Sequence, residues 1–279
     1  MHTRTENEIP HLPDFVEIAP GIGYGAPPTS GWIPIADCPL LIVVGVTGVG
    51  KSTTIAALNE REIPFTMLPD RRALTDDLII ARLQQADGVP VEREQDRARR
   101  FDYTRRFRAQ FPGGMAHALA QLQIIESTAA GQLIFDGLRG SNEVEHAAQL
   151  LPLARFVALD APDIVRVQRL LGRNDAFDQI QPGSHPPHAP ASRTLPADGA
   201  NELFSAAEIE TLLRLVESGQ VTEDDLRAKL QIVCAERRNY DPTETLEMLR
   251  NVATLRSLFI DTTRHTPAQA AWDILRFMS

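Results

Sequence analysis

Lysine is almost missing from this chain: Lys51 and Lys229 stand alone among 28 Lys and Arg residues. Against so arginine-rich a background, a lysine inside a glycine-rich stretch is conspicuous. Cysteine is nearly as scarce. Cys38 and Cys234 are too few for a disulfide framework and suit a reducing compartment. Long hydrophobic runs are absent too, since the longest, "PLLIVV", falls far short of the roughly 18 residues of a membrane span. Positive charge is in deficit, with 37 Asp and Glu giving a formal net charge of −9. That balance excludes a general affinity for nucleic acid or acidic membranes and requires any anionic ligand to be caught by local positive groups. The opening residues lack the charged-then-apolar pattern of a leader. Together these absences predict a cytoplasmic protein.

What is present is an alternation of strands and helices. Residues 1–38, crowded with Pro and Gly, predict an extended, partly disordered arm with Trp32 and Ile33 docking on the rest. "LLIVV" from Leu40 is a continuous β-branched run, as in a parallel strand buried on both faces. A helix is expected from Lys51 to about Glu60, with Ile55 and Leu58 inward, then a strand at 64–68 and a helix ended by Gly88. An Arg-rich helix is predicted from Val91 to Gln110, with a solvated face the favoured reading. "FPGG" then breaks the chain before a helix over "MAHALAQLQIIEST". Strands at 132–136 and 154–160 flank a further helix, and Pro162 suits the first turn of the next one.

Residues 181–200 have the composition of a Pro-rich flexible linker. Its "HPPH", His185 and His188, has no further ligands nearby in sequence and makes a poor metal site. Three helices are expected over 201–256, the first with a Ser205/Glu208 capping box. A last strand at 257–261 leads to a helix opened by Thr266 and Pro267. The fold class is therefore α/β: a P-loop NTPase fold with a parallel sheet of about five strands, covered by helices on both faces. The core comprises 39–180 and 257–279, with a helical insertion at 201–256 before the last strand.

"GVTGVGKS" matches G-x-x-x-x-G-K-[ST] in full, after a buried strand and opening a helix, the context that confirms the motif. Gly45, Val46, Thr47, Gly48, Val49, Gly50, Lys51, Ser52 and Thr53 form the expected nucleotide-binding segment. The glycines let successive N–H groups converge on a phosphate, and the helix adds the positive end of its dipole. Lys51 is expected on the β- and γ-phosphates and the Ser52 hydroxyl on Mg²⁺. Asp136, ending the strand "QLIFD", sits where a carboxylate can hold a Mg²⁺-bound water; an Asp-Gly turn is the plainer alternative.

"FDGLRGSNEVEHA" resembles the D-G-[FIL]-x-R or D-G-I-R segment of nucleoside monophosphate kinases and their archaeal-type adenylate-kinase and dephospho-coenzyme A kinase relatives. "FVALDAPDIVRVQRLLGRND" resembles their strand and helix leading to the lid, and "LFIDTTRHTPAQAAWDIL" their final strand and helix. The resemblance implies ATP as donor, Mg²⁺ served by Asp136, and phosphate clamps at Arg139, Arg169 and Arg173. Arg166, one helical turn from Arg169, is read as a surface residue. The likeness covers about 40–65, 130–178 and 257–278.

Asp70, Arg71 and Arg72 follow the second strand, near the acceptor pocket of such enzymes. A phosphate acceptor would need Arg71 or Arg72 and no base; a hydroxyl acceptor would need Asp70 to take its proton. The leading expectation is a kinase acting on a nucleotide or another small phosphorylated acceptor. The alternatives are a kinase of a hydroxyl acceptor, and a regulatory ATPase or nucleotide-switched module engaging a protein partner through 201–256.

Overall fold

The computed structural model describes residues 15–61, 63–172, 195 and 197–279. In chain order the elements are β1 (Val16–Ala19), β2 (Ile22–Tyr24), β3 (Trp32–Pro34), β4 (Leu40–Val44), α1 (Lys51–Asn59), β5 (Phe65–Met67), α2 (Arg71–Leu74), α3 (Ala81–Asp87), α4 (Arg97–Gln110), α5 (Met115–Leu119), β6 (Leu122–Ile125), α6 (Glu126–Ala129), β7 (Gln132–Phe135) and α7 (Gly140–Leu150). There follow β8 (Arg155–Asp160), α8 (Asp163–Leu171), α9 (Ala200–Leu203), α10 (Ala206–Glu217), α11 (Glu223–Asn239), α12 (Pro242–Val252), β9 (Ser257–Asp261) and α13 (Pro267–Met278). A π-helical turn, Thr75–Ile80, joins α2 to α3.

Five parallel strands form the central sheet in the order β5-β7-β4-β8-β9. β4 lies in the middle and all five of its residues are buried, which is why it reads as unbroken apolar sequence. Alternate side chains serve opposite faces. Leu40, Ile42 and Val44 join a core with Phe107, Leu119, Val144 and Leu249; Leu41 and Val43 join Ala57 and Leu58 of α1 and Ala271 and Ile274 of α13. A third apolar cluster fastens Val167 and Leu170 of α8 to Leu226, Leu230 and Val233 of α11. Among the described residues no helix is long and apolar enough to cross a membrane.

The structure differs from the sequence expectations in four places. The stretch 16–34 is not a loose arm: β1, β2 and β3 belong to a four-stranded antiparallel sheet, β1-β2-β6-β3. Ile33 packs against the core as expected, and Trp32 lies edge-to-face on Phe15 at 4.5 Å. Second, the predicted helix from Met115 stops at Leu119, and Leu122–Ile125 is the strand that β2 and β3 flank on either side. The helical pattern of "AQLQII" yields to backbone pairing with residues a hundred positions earlier. Third, the Arg-rich helix begins at Arg97, where the Asp96 side chain accepts the Arg99 N–H as a cap. Its arginines are not simply solvated: Arg106 pairs with Asp87 at 2.7 Å, and Arg100 pairs with Asp76. Fourth, Pro162 stands at the N-cap of α8, one position before the first turn. The expected Ser205/Glu208 capping box is formed, and a second, Thr266/Gln269, opens α13. Of the expected linker at 181–200, residues 181–194 and 196, with both histidines, lie outside the described residues, while Leu195 and Ala200 are buried in the third cluster.

Candidate functional site

The segment Gly45–Ser52 runs from the tip of β4 into α1. Gly50 caps that helix in the left-handed region, φ 101°. Gly48 is also left-handed, φ 87°, and a Cβ there would lie 3.1 Å from the Cβ and the carbonyl oxygen of Arg166. The loop is thus pressed against α8, and only glycine fits its closest approach. Lys51 Nζ donates to the carbonyls of Gly45 (2.6 Å) and Val46 (3.3 Å), so its ammonium lies across the loop. Burial pushes Lys51 down to about 8; Arg139 acts in the same direction, against Asp136 and Glu236. Ser52 and Thr53 are exposed at the start of α1.

Asp136 follows β7, which pairs directly with β4. No strand intervenes, so the half-buried carboxylate stands beside the loop and within electrostatic reach of Lys51. Ser52 and Asp136 together offer hard oxygen donors of the kind Mg²⁺ takes while keeping several waters. Arg139, at the N-cap of α7, donates its backbone N–H to Glu143 Oε2 (2.9 Å) and leaves its guanidinium partly exposed, 3.6 Å from Glu236 Oε1. Beside it, Gly45, Leu138, Tyr240 and Leu246 help line an apolar recess of about 20 Å³, room for about one water.

Other arginines are placed differently. Arg169 donates to the hydroxyl (2.9 Å) and carbonyl (2.9 Å) of Thr262 and to the Gly48 carbonyl (3.3 Å). Thr262 in turn donates to the Val49 carbonyl (2.8 Å). Arg169 therefore ties the end of β9 to the outside of the loop. Arg166, read from sequence as a surface residue, is fully buried and touches the loop itself through the Thr47 carbonyl (2.8 Å). Its burial corrects the surface reading: the helix face it occupies is covered by the loop and by α11. Arg71 grips Glu143 with both arms (2.6 and 2.8 Å) and the Gly137 carbonyl (2.8 Å), bracing the segment that carries Asp136 and Arg139. Asp70 is exposed and caps α2, accepting the Ala73 N–H at 2.8 Å, and Arg72 is exposed on the same turn. Arg173 lies outside the described residues.

Glu143, Thr262 and Glu236 belong to this site but escape a reading of the sequence. Glu143 could have been found, four residues after Arg139 on the first turn of α7. Glu236 could not. It lies 189 residues from the loop, yet accepts from Thr47 N–H (2.9 Å) and the Thr47 hydroxyl (2.5 Å). Among the described residues no group of three or more His, Cys, Asp or Glu is arranged to hold a metal on its own.

A family model described as an AAA domain matches residues 41–184, just over half the chain. No curated protein matches. Among solved structures, a sulfotransferase from Alicyclobacillus acidocaldarius is similar over 86% of this chain and 80% of its own, at 12% identity and a TM-score of 0.36. At that level the likeness carries no argument about activity. The phosphate loop, the parallel sheet with the loop's strand at its centre, and the extent of the family match together establish that this chain belongs to the AAA-domain family of P-loop nucleotide-binding proteins.

Proposed function

We propose that the protein is a P-loop phosphotransferase that moves the γ-phosphoryl group of ATP to a nucleotide or another small phosphorylated acceptor. The observation that carries this reading is the convergence of Lys51, Asp136 and Arg139 at the tips of two directly paired strands. Phosphoryl transfer asks a protein mainly for positioning and charge neutralisation, and these three groups supply both. In this reading the loop amides and Lys51 hold the β- and γ-phosphates. The Ser52 hydroxyl and, through water, the Asp136 carboxylate would hold Mg²⁺, which would offset the phosphate charge when bound. Arg139, anchored through its backbone to Glu143, presents its guanidinium to the phosphoryl group in transit. Arg169 acts by bracing the loop, and Arg173 is left as a clamp by resemblance alone.

Asp70 points to the acceptor class. An anionic phosphate oxygen needs no base, and Asp70 is engaged as a helix cap. The test is an ADP-release screen across nucleotides, coenzyme precursors and small alcohols, followed by two variants on the acceptor found. Arg139→Ala is expected to raise the acceptor KM, lower kcat, or both, while Asp70→Asn costs little. A loss of about 10²–10⁴ in kcat for Asp70→Asn, with Arg139→Ala nearly intact, would instead establish a hydroxyl acceptor with Asp70 as base.

A further inference from the structure

We propose that Glu236, on α11, is a positioning residue for the phosphate loop, and that the helices between α8 and β9 are for this reason a working wall of the nucleotide site. The inference rests on nucleotide binding at the loop and not on phosphoryl transfer.

Every polar group of Thr47 is taken up from outside the loop. Its N–H and hydroxyl donate to the two oxygens of Glu236, at 2.9 and 2.5 Å. Its carbonyl accepts from Arg166 Nε at 2.8 Å. The two clamping residues are joined, because Arg166 Nη2 donates to Glu236 Oε2 at 2.5 Å while its Nη1 donates to Asp163 at 2.5 Å. Arg166 is fully buried, and so paired a charge tolerates burial only while its carboxylates stay in place. The position of Glu236 is itself fixed by packing: Leu226, Leu230 and Val233 of α11 lie fully buried against Val167 and Leu170 of α8. A carboxylate on so firmly seated a helix is a fixed strut. The same carboxylate lies 3.6 Å from Arg139, so it also sets the spacing between the loop and the guanidinium beside it.

A carboxylate on a phosphate loop could also be a stand-in for the ligand, displaced when phosphates enter. That arrangement requires the Glu236 side chain to swing off Thr47, leaving the buried Arg166 with Asp163 as its remaining carboxylate. The two arrangements predict opposite signs. A strut removed weakens nucleotide binding; a plug removed strengthens it.

The test is direct calorimetric titration of the full chain with Mg²⁺·ATP, alongside thermal melting. Glu236→Gln and the milder Thr47→Val, which removes one hydroxyl, are each expected to weaken binding by about five- to tenfold, the range of a lost hydrogen bond. Asp163→Asn removes the other carboxylate of Arg166 and touches no loop atom. It is expected to lower the melting temperature while changing affinity less than about twofold. Unchanged or tighter binding by Glu236→Gln overturns the proposal, and so does Asp163→Asn weakening binding as much as Glu236→Gln. If Glu236→Gln does not fold, unchanged affinity in Thr47→Val overturns it. Wild-type binding without turnover on any acceptor would sink the kinase reading and leave this inference standing.

Discussion

Lys51 is held in a position that costs stability. Burial, with Arg139 adding to it, lowers its pKa from 10.5 to about 8. Between those values the unfolded chain keeps a proton that the folded protein has lost, so this group makes stability rise with pH across the window. The cost is full below pH 8 and gone by 10.5. Lys51→Met is therefore expected to be more stable than wild type at pH 7, by at most about 3 kcal/mol. The bonds to the Gly45 and Val46 carbonyls that the variant forgoes reduce that figure. The gap should close toward pH 10.5, while Mg²⁺·ATP binding is lost throughout. Denaturant titrations at pH 7 and pH 10 check this; a gap that ignores pH would show that Lys51 is not strained. Such a residue, stabilising nothing until its ligand arrives, is a common mark of function. It was also the easiest to read from sequence, because its motif is local and its residue type rare. Glu236 and Arg166 were not readable, since their meaning depends on contacts 119 to 189 residues away in the chain.

Among the elements, β4, α1, β7 and β8 were legible because period, composition and termini agreed. β6 was not. "LQII" follows the helical "MAHAL" without a break residue, and nothing local says that Leu122 and Ile124 will face a core while Gln123 and Ile125 are only half-buried. Pairing decides it: Ile124 sits between Ile22 on one side and Ile33 on the other. Ile124→Ala should accordingly cost about 2–5 kcal/mol, as for a fully buried aliphatic residue. Gln123→Thr, poor for a helix and good for a strand, should be neutral or slightly stabilising. Urea midpoints measure both. A clear loss for Gln123→Thr would contradict the strand environment. The arm was misjudged for the same reason, since the strand that joins β2 to β3 is β6, far along the chain.

The molecule as a whole is expected to unfold in one step, because each apolar cluster shares an element with another, β4 between the first two and α8 between the second and third. The first cluster combines Ile22 and Ile124 of the antiparallel sheet with one face of β4 and with Leu249 of α12. The second joins the other face of β4 to α1 and α13. The third ties α9–α11 to α8, whose Arg166 reaches the phosphate loop. Losing any one cluster exposes a face of another, which is the condition for cooperative, two-state behaviour. The two tryptophans make this measurable, since Trp32 lies in β3 and Trp272 lies on α13, with the Arg61 guanidinium 5.6 Å from its ring centre. With Trp272→Phe reporting on the first region and Trp32→Phe on the second, each variant's fluorescence midpoint in urea should coincide with its own helical circular-dichroism midpoint. Mg²⁺·ATP at about 100 times its Kd should stabilise each variant by about 2.7 kcal/mol whichever probe is read. Loss of helical signal ahead of either fluorescence change would mean that α9–α11 melt alone. In that case a nucleotide-induced shift confined to the fluorescence transition would show that those helices do not share the energetics of the nucleotide site.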